Sequence, residues 1–151
     1  MARDHPLVAA VRPAGAFVCD TGPAVYRLED SAPASAGAAV DALFAEVDAQ
    51  RIACLVPSVC AAELLVRPYR LGPEAVIVAD AFLRAPSMAV VPTSLGAAHG
   101  AARLVARRVV ARLADALVAA TAEEVGVPLI TSDRRLARSG AADALLLADF
   151  A

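Results

Sequence analysis

Short apolar runs alternate with segments patterned as helices, and that alternation limits the fold more than any other feature of the chain. Residues 16–20, 52–56, 88–91, 127–131 and 144–147 are the runs. Runs this short, apolar at nearly every position, read as strands buried on both faces. Strands separated by helices build a parallel sheet covered on both sides, an α/β arrangement.

Between the runs, Thr21-Gly22-Pro23 opens a helix, with Pro23 suited to a first turn. Val40, Leu43, Phe44 and Val47 follow helical spacing after a loop over 30–37. Ser58 is a candidate cap for a helix expected to end before Pro68, and Pro73 opens another to about residue 84. Ser94 caps a helix through 105, and a further helix is expected over 109–125, stopped by Gly126. Residues 132–138 read as a turn with a short helix. Residues 1–14, with Pro6 and Pro13, are expected to be an N-terminal arm, and residues 15–151 one domain.

Composition removes whole classes of function. Apolar content of 59% with 20% charged residues indicates a packed globule, and with aromatics at 4% the helices must pack closely through Ala and Val. No stretch reaches the ~20 apolar residues of a membrane span, and the opening residues, with Asp4, His5 and Pro6, do not read as a secretory signal. Cys19, Cys54 and Cys60 are odd in number and lack Cys-x-x-Cys spacing, so buried thiols in a reducing cytoplasm are expected. All 14 basic residues are arginine. Without lysine there is no Walker-type phosphate loop and no side-chain Schiff base. With only His5 and His99, paired-histidine ribonuclease chemistry has little to draw on. A net charge of −2 excludes wholesale coating of nucleic acid but permits a local basic patch.

Against this background four carboxylates stand out. Asp20 closes the first run, Glu63 lies within Val59-Cys60-Ala61-Ala62-Glu63-Leu64-Leu65, Asp115 interrupts a Leu/Ala/Val segment, and Asp133 follows Leu129-Ile130-Thr131-Ser132. A carboxylate in an apolar segment costs several kcal/mol unless paired, protonated or bound to a cation. Each has an ordinary explanation: helix capping for Asp20 and Asp133, an exposed helical face for Glu63, an ion pair with Arg112 for Asp115. In a parallel sheet, however, ligands bind beyond the carboxyl ends of the strands, and the topology sends all four toward that edge. An oxygen-only set suits a hard cation, Mg2+ or Mn2+, which activates water and offsets charge on a phosphodiester.

The flanks of these residues resemble the four acidic motifs of PIN-domain nucleases. Phe17-Val18-Cys19-Asp20-Thr21 and Pro57-Ser58-Val59-Cys60-Ala61-Ala62-Glu63-Leu64 resemble the first two. Ala114-Asp115-Ala116-Leu117-Val118-Ala119-Ala120-Thr121-Ala122 and Gly126-Val127-Pro128-Leu129-Ile130-Thr131-Ser132-Asp133 resemble the third and fourth. The compact form is similar to VapC-type toxins of bacterial toxin–antitoxin pairs. The resemblance implies a three-layer α/β/α sandwich with a short, mostly parallel sheet. It also implies a divalent-metal endoribonuclease leaving 5′-phosphate and 3′-hydroxyl ends, a small cognate antitoxin and a homodimer. By the same resemblance Asp20 and Asp115 are core ligands, Asp133 completes the cluster, Glu63 orients a water or second ion, and Thr21 and Thr131 support the ligands. The chain departs from the pattern in two places: Gly22-Pro23 follows the first motif, and Arg134-Arg135 follow Asp133 where a further acid is common.

Arg108, Arg112, Arg134 and Arg135 are candidate RNA contacts; the ordinary alternative is a solvated helix face. Aspartate-based phosphotransfer domains also place an Asp after a first strand, but they use a lysine that is absent here. The remaining alternatives are a PIN-like scaffold that binds RNA or a partner without cutting, and a housekeeping RNA-processing nuclease.

Overall fold

The computed structural model describes residues 3–151. Five strands form one sheet: β1 (Ala16–Cys19), β2 (Ala53–Pro57), β3 (Met88–Val91), β4 (Leu129–Thr131) and β5 (Ala144–Leu146). Their order is β3-β2-β1-β4-β5 and every pairing is parallel. Phe17, Val18, Cys54, Leu129 and Ile130 are fully buried, as the unbroken apolar character of their runs requires.

The described residues form eight α-helices: α1 (Pro6–Val11), α2 (Thr21–Glu29), α3 (Gly37–Asp48), α4 (Ser58–Leu71), α5 (Pro73–Leu83), α6 (Leu95–Ala106), α7 (Leu113–Val125) and α8 (Arg134–Arg138). From β1 the chain steps outward to β2 and β3, then returns past β1 to β4 and β5. Right-handed crossovers therefore put α2–α5 on one face of the sheet and α6–α8 on the other. The result is the expected three-layer α/β/α sandwich. The strand order reverses between β1 and β4, which opens a crevice at their carboxyl ends.

The elements differ from expectation at three places. Residues 6–11 are not an arm: they form α1, with Leu7 and Val11 fully buried and Val8 nearly so, packed on α3. Prolines at 6 and 13 obscured a one-turn amphipathic pattern; Pro6 occupies a first-turn position where its missing N–H is harmless. Next, α4 runs through Pro68 to Leu71, and Ser58 is its first residue, making no capping hydrogen bond. Pro68 is buried, so packing holds a helix that local propensity would end. The helix stops instead at Gly72, whose φ of 128° only glycine adopts without strain, and Pro73 starts α5 immediately. Finally, α7 begins at Leu113 rather than 109, because residues 107–112 fold back on the end of α6. The N–H groups of Val109 and Val110 both donate to the Leu104 carbonyl, at 2.9 and 3.4 Å.

Candidate functional site

Strand register brings the site together. Val18 pairs with Leu129 and Cys19 with Ile130, so Asp20 and Thr131 end adjacent strands side by side. Thr131 is fully buried and its hydroxyl donates to Asp20 Oδ2 at 2.7 Å. The Thr21 N–H donates to Asp20 Oδ1 at 2.8 Å as Asp20 caps α2, so the capping and ligand readings of this residue describe one geometry. Both oxygens of a carboxylate only 9% exposed are thereby oriented.

The other three acids approach from separate elements. Glu63, exposed on α4, accepts from the Thr21 hydroxyl at 2.9 Å, which ties it to the residue after Asp20. Asp133 caps α8, with Oδ1 accepting from Arg135 N–H at 2.8 Å and Leu136 N–H at 3.2 Å. Its own N–H donates to Thr131 Oγ1 at 2.9 Å, so Thr131 links Asp133 to Asp20. Asp115 stands in the first turn of α7, half-buried, 3.9 Å from Arg112 Nε. That ion pair was anticipated, but at this distance it is loose.

Electrostatics show that the four carboxylates sense one another. Burial raises the Asp20 carboxyl above its ordinary range against the two hydrogen bonds that favour its charge, and Glu63 and Asp133 push the same way. Burial also raises Asp115; Arg112 opposes the shift, while Asp20, Asp133 and Glu63 add to it. Among the described residues no three His, Cys, Asp or Glu side chains close a cage around an ion. The donor chemistry fits a hard cation that keeps much of its water shell, since repelling carboxylate oxygens with one loose arginine partner are what such an ion relieves. Asp20, Asp115 and Asp133 are the carboxylates such an ion would meet, with Glu63 at the margin.

Two contacts beside the cluster escaped sequence reasoning. Cys60 Sγ lies 3.8 Å from Asp20 Oδ1, and burial pushes its thiol up to about 12. The available signal was its place three residues before Glu63, one helical turn away on a shared face. Ser132 explains the Gly22 departure. A Cβ at Gly22 would run into Ser132 Oγ and stand 3.3 Å from Ser132 Cβ, so a side chain there would have to displace that hydroxyl and push the β4–α8 turn slightly away from the start of α2.

The candidate RNA contacts divide. Arg108, Arg112 and Arg135 line a cavity of about 300 Å3 whose wall also carries Asp115, Asp133 and Leu136. Arg134 opens α8 and lies outside that lining. A second cavity, about 400 Å3 between α6 and α7, includes none of the four carboxylates.

A family model described as PIN domain matches residues 17–142. No curated protein matches the sequence. Among solved structures, VapBC2 from Rickettsia felis, bound to a DNA fragment from their promoter, superposes with a TM-score of 0.67 at 15% identity, covering 87% of this chain and 98% of that one. FitAcB from Neisseria gonorrhoeae gives 0.66 at 18% identity, covering 87% and 97%. FitAB bound to an IR36 DNA fragment gives 0.67 at 16%, covering 87% and 95%. At such identities these likenesses are of fold.

Proposed function

The chain belongs to the PIN domain family, and from that premise we propose that it is a divalent-metal-dependent endoribonuclease, the toxin of a toxin–antitoxin pair. PIN domains are generally nucleases. The observation that carries the metal-dependent reading is the convergence of the acids: Thr131 bonds to both Asp20 and Asp133, and Thr21 ties Glu63 to Asp20. Asp115, raised first by burial and held down by Arg112, is raised further by the charges of Asp20, Asp133 and Glu63.

Asp20, Asp115 and Asp133 would hold Mg2+ or Mn2+, which would supply water activation and neutralise charge on the phosphodiester. The protein supplies position. Thr131 holds Asp20 and Asp133 in fixed relation, and Thr21 does the same for Asp20 and Glu63. Glu63 is the exposed carboxylate of the set, and in this reading it orients the attacking water. Arg108, Arg112 and Arg135 hold RNA phosphates beside the carboxylates, where charge-assisted hydrogen bonds fix orientation. With neither lysine nor a nearby histidine, no nitrogen base competes for the role of water activator.

The fold neighbours come from VapBC and FitAB complexes, which supports a small antitoxin as partner. The exposed apolar residues Tyr69, Leu71, Ile77 and Val78 on α4 and α5 support burial of that face in a homodimer. Three free, buried cysteines suit a reducing cytoplasm, and no helix among the described residues is long and apolar enough to cross a membrane.

The test is cleavage of a structured RNA pool by purified protein with Mn2+ or Mg2+, with EDTA, and as Asp115→Asn. Metal-dependent cutting that disappears in the variant upholds the reading. Cutting that survives both EDTA and the substitution would remove the carboxylate cluster from the chemistry.

A further inference from the structure

Arginines are distributed unevenly with respect to their partners. From the end of α6 to α8 the chain carries Arg103, Arg107, Arg108, Arg112, Arg134, Arg135 and Arg138. Among the described residues only Arg112 of these makes an ion pair, and that one spans 3.9 Å. Of the seven arginines before α6, five are bridged to carboxylates: Arg12, Arg27, Arg51, Arg67 and Arg84. On the Glu63 side of the cluster, Arg67 is held by Glu29 and Arg27 by Asp48. Arg70 on α4 is also unbridged among the described residues, but on the α6–α8 side Arg108, Arg135 and the loosely paired Arg112 gather in the wall of the 300 Å3 cavity beside Asp115 and Asp133.

That cavity is built rather than incidental. Its outer wall is the α6–α7 connection, folded back by the two hydrogen bonds to the Leu104 carbonyl and anchored by Val110, 6% exposed. Arg108 sits in that connection at φ 58°, a left-handed conformation that costs a non-glycine residue energy and persists where the surroundings impose it. Across from it, Arg135 projects from α8, whose Leu136 is buried. Polar groups thus occupy the rim, and Val109, Val110 and Leu136 supply apolar wall. A volume of about 300 Å3 is the low end of ligand pockets, room for one nucleotide and too little for a duplex.

Resting on the nuclease reading, we propose that this cavity is a subsite for a single nucleotide of the RNA strand, the unit joined to the scissile phosphate. Arg108 and Arg135 grip its phosphate while its sugar and base lie on Val109, Val110 and Leu136. The strand is held on one flank of the carboxylates, so cleavage requires an unpaired nucleotide there.

The test is an equilibrium titration in EDTA, followed by amide NMR shifts, with nucleoside 5′-monophosphates, the matching nucleosides and inorganic phosphate. The proteins are wild type, Arg108→Gln, Arg135→Gln and Arg84→Gln, each checked for an unchanged melting curve. Monophosphates should bind at the cavity, roughly tenfold or more tighter than either nucleoside or phosphate, and each cavity variant should lose about tenfold. Arg84→Gln should match wild type. In RNA cleavage the two cavity variants should raise KM with kcat retained. Phosphate binding as tightly as the monophosphates would reduce the cavity to an anion patch and overturn the proposal, as would undiminished binding in both variants. Metal-dependent RNA cleavage with no monophosphate binding would overturn the subsite while the nuclease stands. Cavity binding without any RNA cleavage would overturn the nuclease.

Discussion

Asp115 is where stability and proposed function oppose each other. Burial raises its carboxyl above the ordinary value and three neighbouring acids raise it further. Between the unfolded and folded pKa values the native state holds a proton that the unfolded chain has released. The stability this contributes is complete below the unfolded value, about 4, and is lost as pH rises through the folded one. In metal-free protein this group should therefore add stability as pH falls through its folded value. Asp115→Asn breaks no hydrogen bond, gives up only the 3.9 Å pair with Arg112 and relieves the repulsion, so at pH 7 it should melt about 2 °C higher than metal-free wild type. Mn2+ should stabilise wild type and should not stabilise this variant. Scanning calorimetry with and without Mn2+ reads both, and a variant that melts lower without metal would show that Asp115 has a structural partner instead. The thiols give a second prediction. Burial holds Cys60 near 12, and a hydrogen bond with Cys54, then burial, holds Cys19 well above its ordinary value. Native protein at pH 8 should show no fast-reacting thiol toward an aromatic disulfide reagent, and three after denaturation. A rapid first equivalent would contradict the packing around Asp20.

Between elements, the tightest constraint on the site is the approach of α2 to the turn after β4. Gly22→Ala should cost about 1–3 kcal/mol, since the new methyl meets Ser132. Ser132→Gly should recover most of that loss in the double variant, because it removes the atoms in conflict. Urea denaturation of the four proteins measures the coupling, and strict additivity would mean that the two residues do not touch. This contact also marks the limit of what could be read from the chain. Strands buried on both faces were readable because apolar runs of four or five residues have few other uses, and the four carboxylates because each broke such a run or closed it. That Gly22 answers Ser132, or that Cys60 touches Asp20, depends on register across β1 and β4 and on the roll of α4, which local pattern does not encode. Pro68 misled for the converse reason: its propensity is local, while the packing that carries α4 past it is not.

For the molecule as a whole, the segment expected to be an arm closes the core. α1 packs on α3, and the terminal 3-10 turn, Leu147–Phe150, contacts both. The two ends of the chain thus meet over one helix. Leu7, Val8 and Val11 are 0%, 3% and 0% exposed, and at about 1.5–3 kcal/mol for each buried aliphatic side chain their joint contribution is at least about 5 kcal/mol. That approaches the whole net stability of an ordinary domain, about 5–15 kcal/mol. An ion network fastens the same helix: Glu46, mostly buried on α3, accepts from Arg12 at 3.1 Å and from Arg51 at 2.7 Å. The Arg51 hydrogen bond, then the charges of Arg51 and Arg12, hold Glu46 below the usual carboxylate range. That contribution is present above the unfolded pKa and lost as pH falls through the folded one, opposite in sign to Asp115. Removing residues 1–13 deletes Arg12 and all three aliphatics, so the urea midpoint should fall by about 2 M or the chain should fail to fold. Leu7→Ala alone should cost about 2–5 kcal/mol, a loss small enough to measure on folded protein. A truncated chain that unfolds at the wild-type midpoint would return residues 6–11 to the status of an arm, and the core would then have to be redrawn without them.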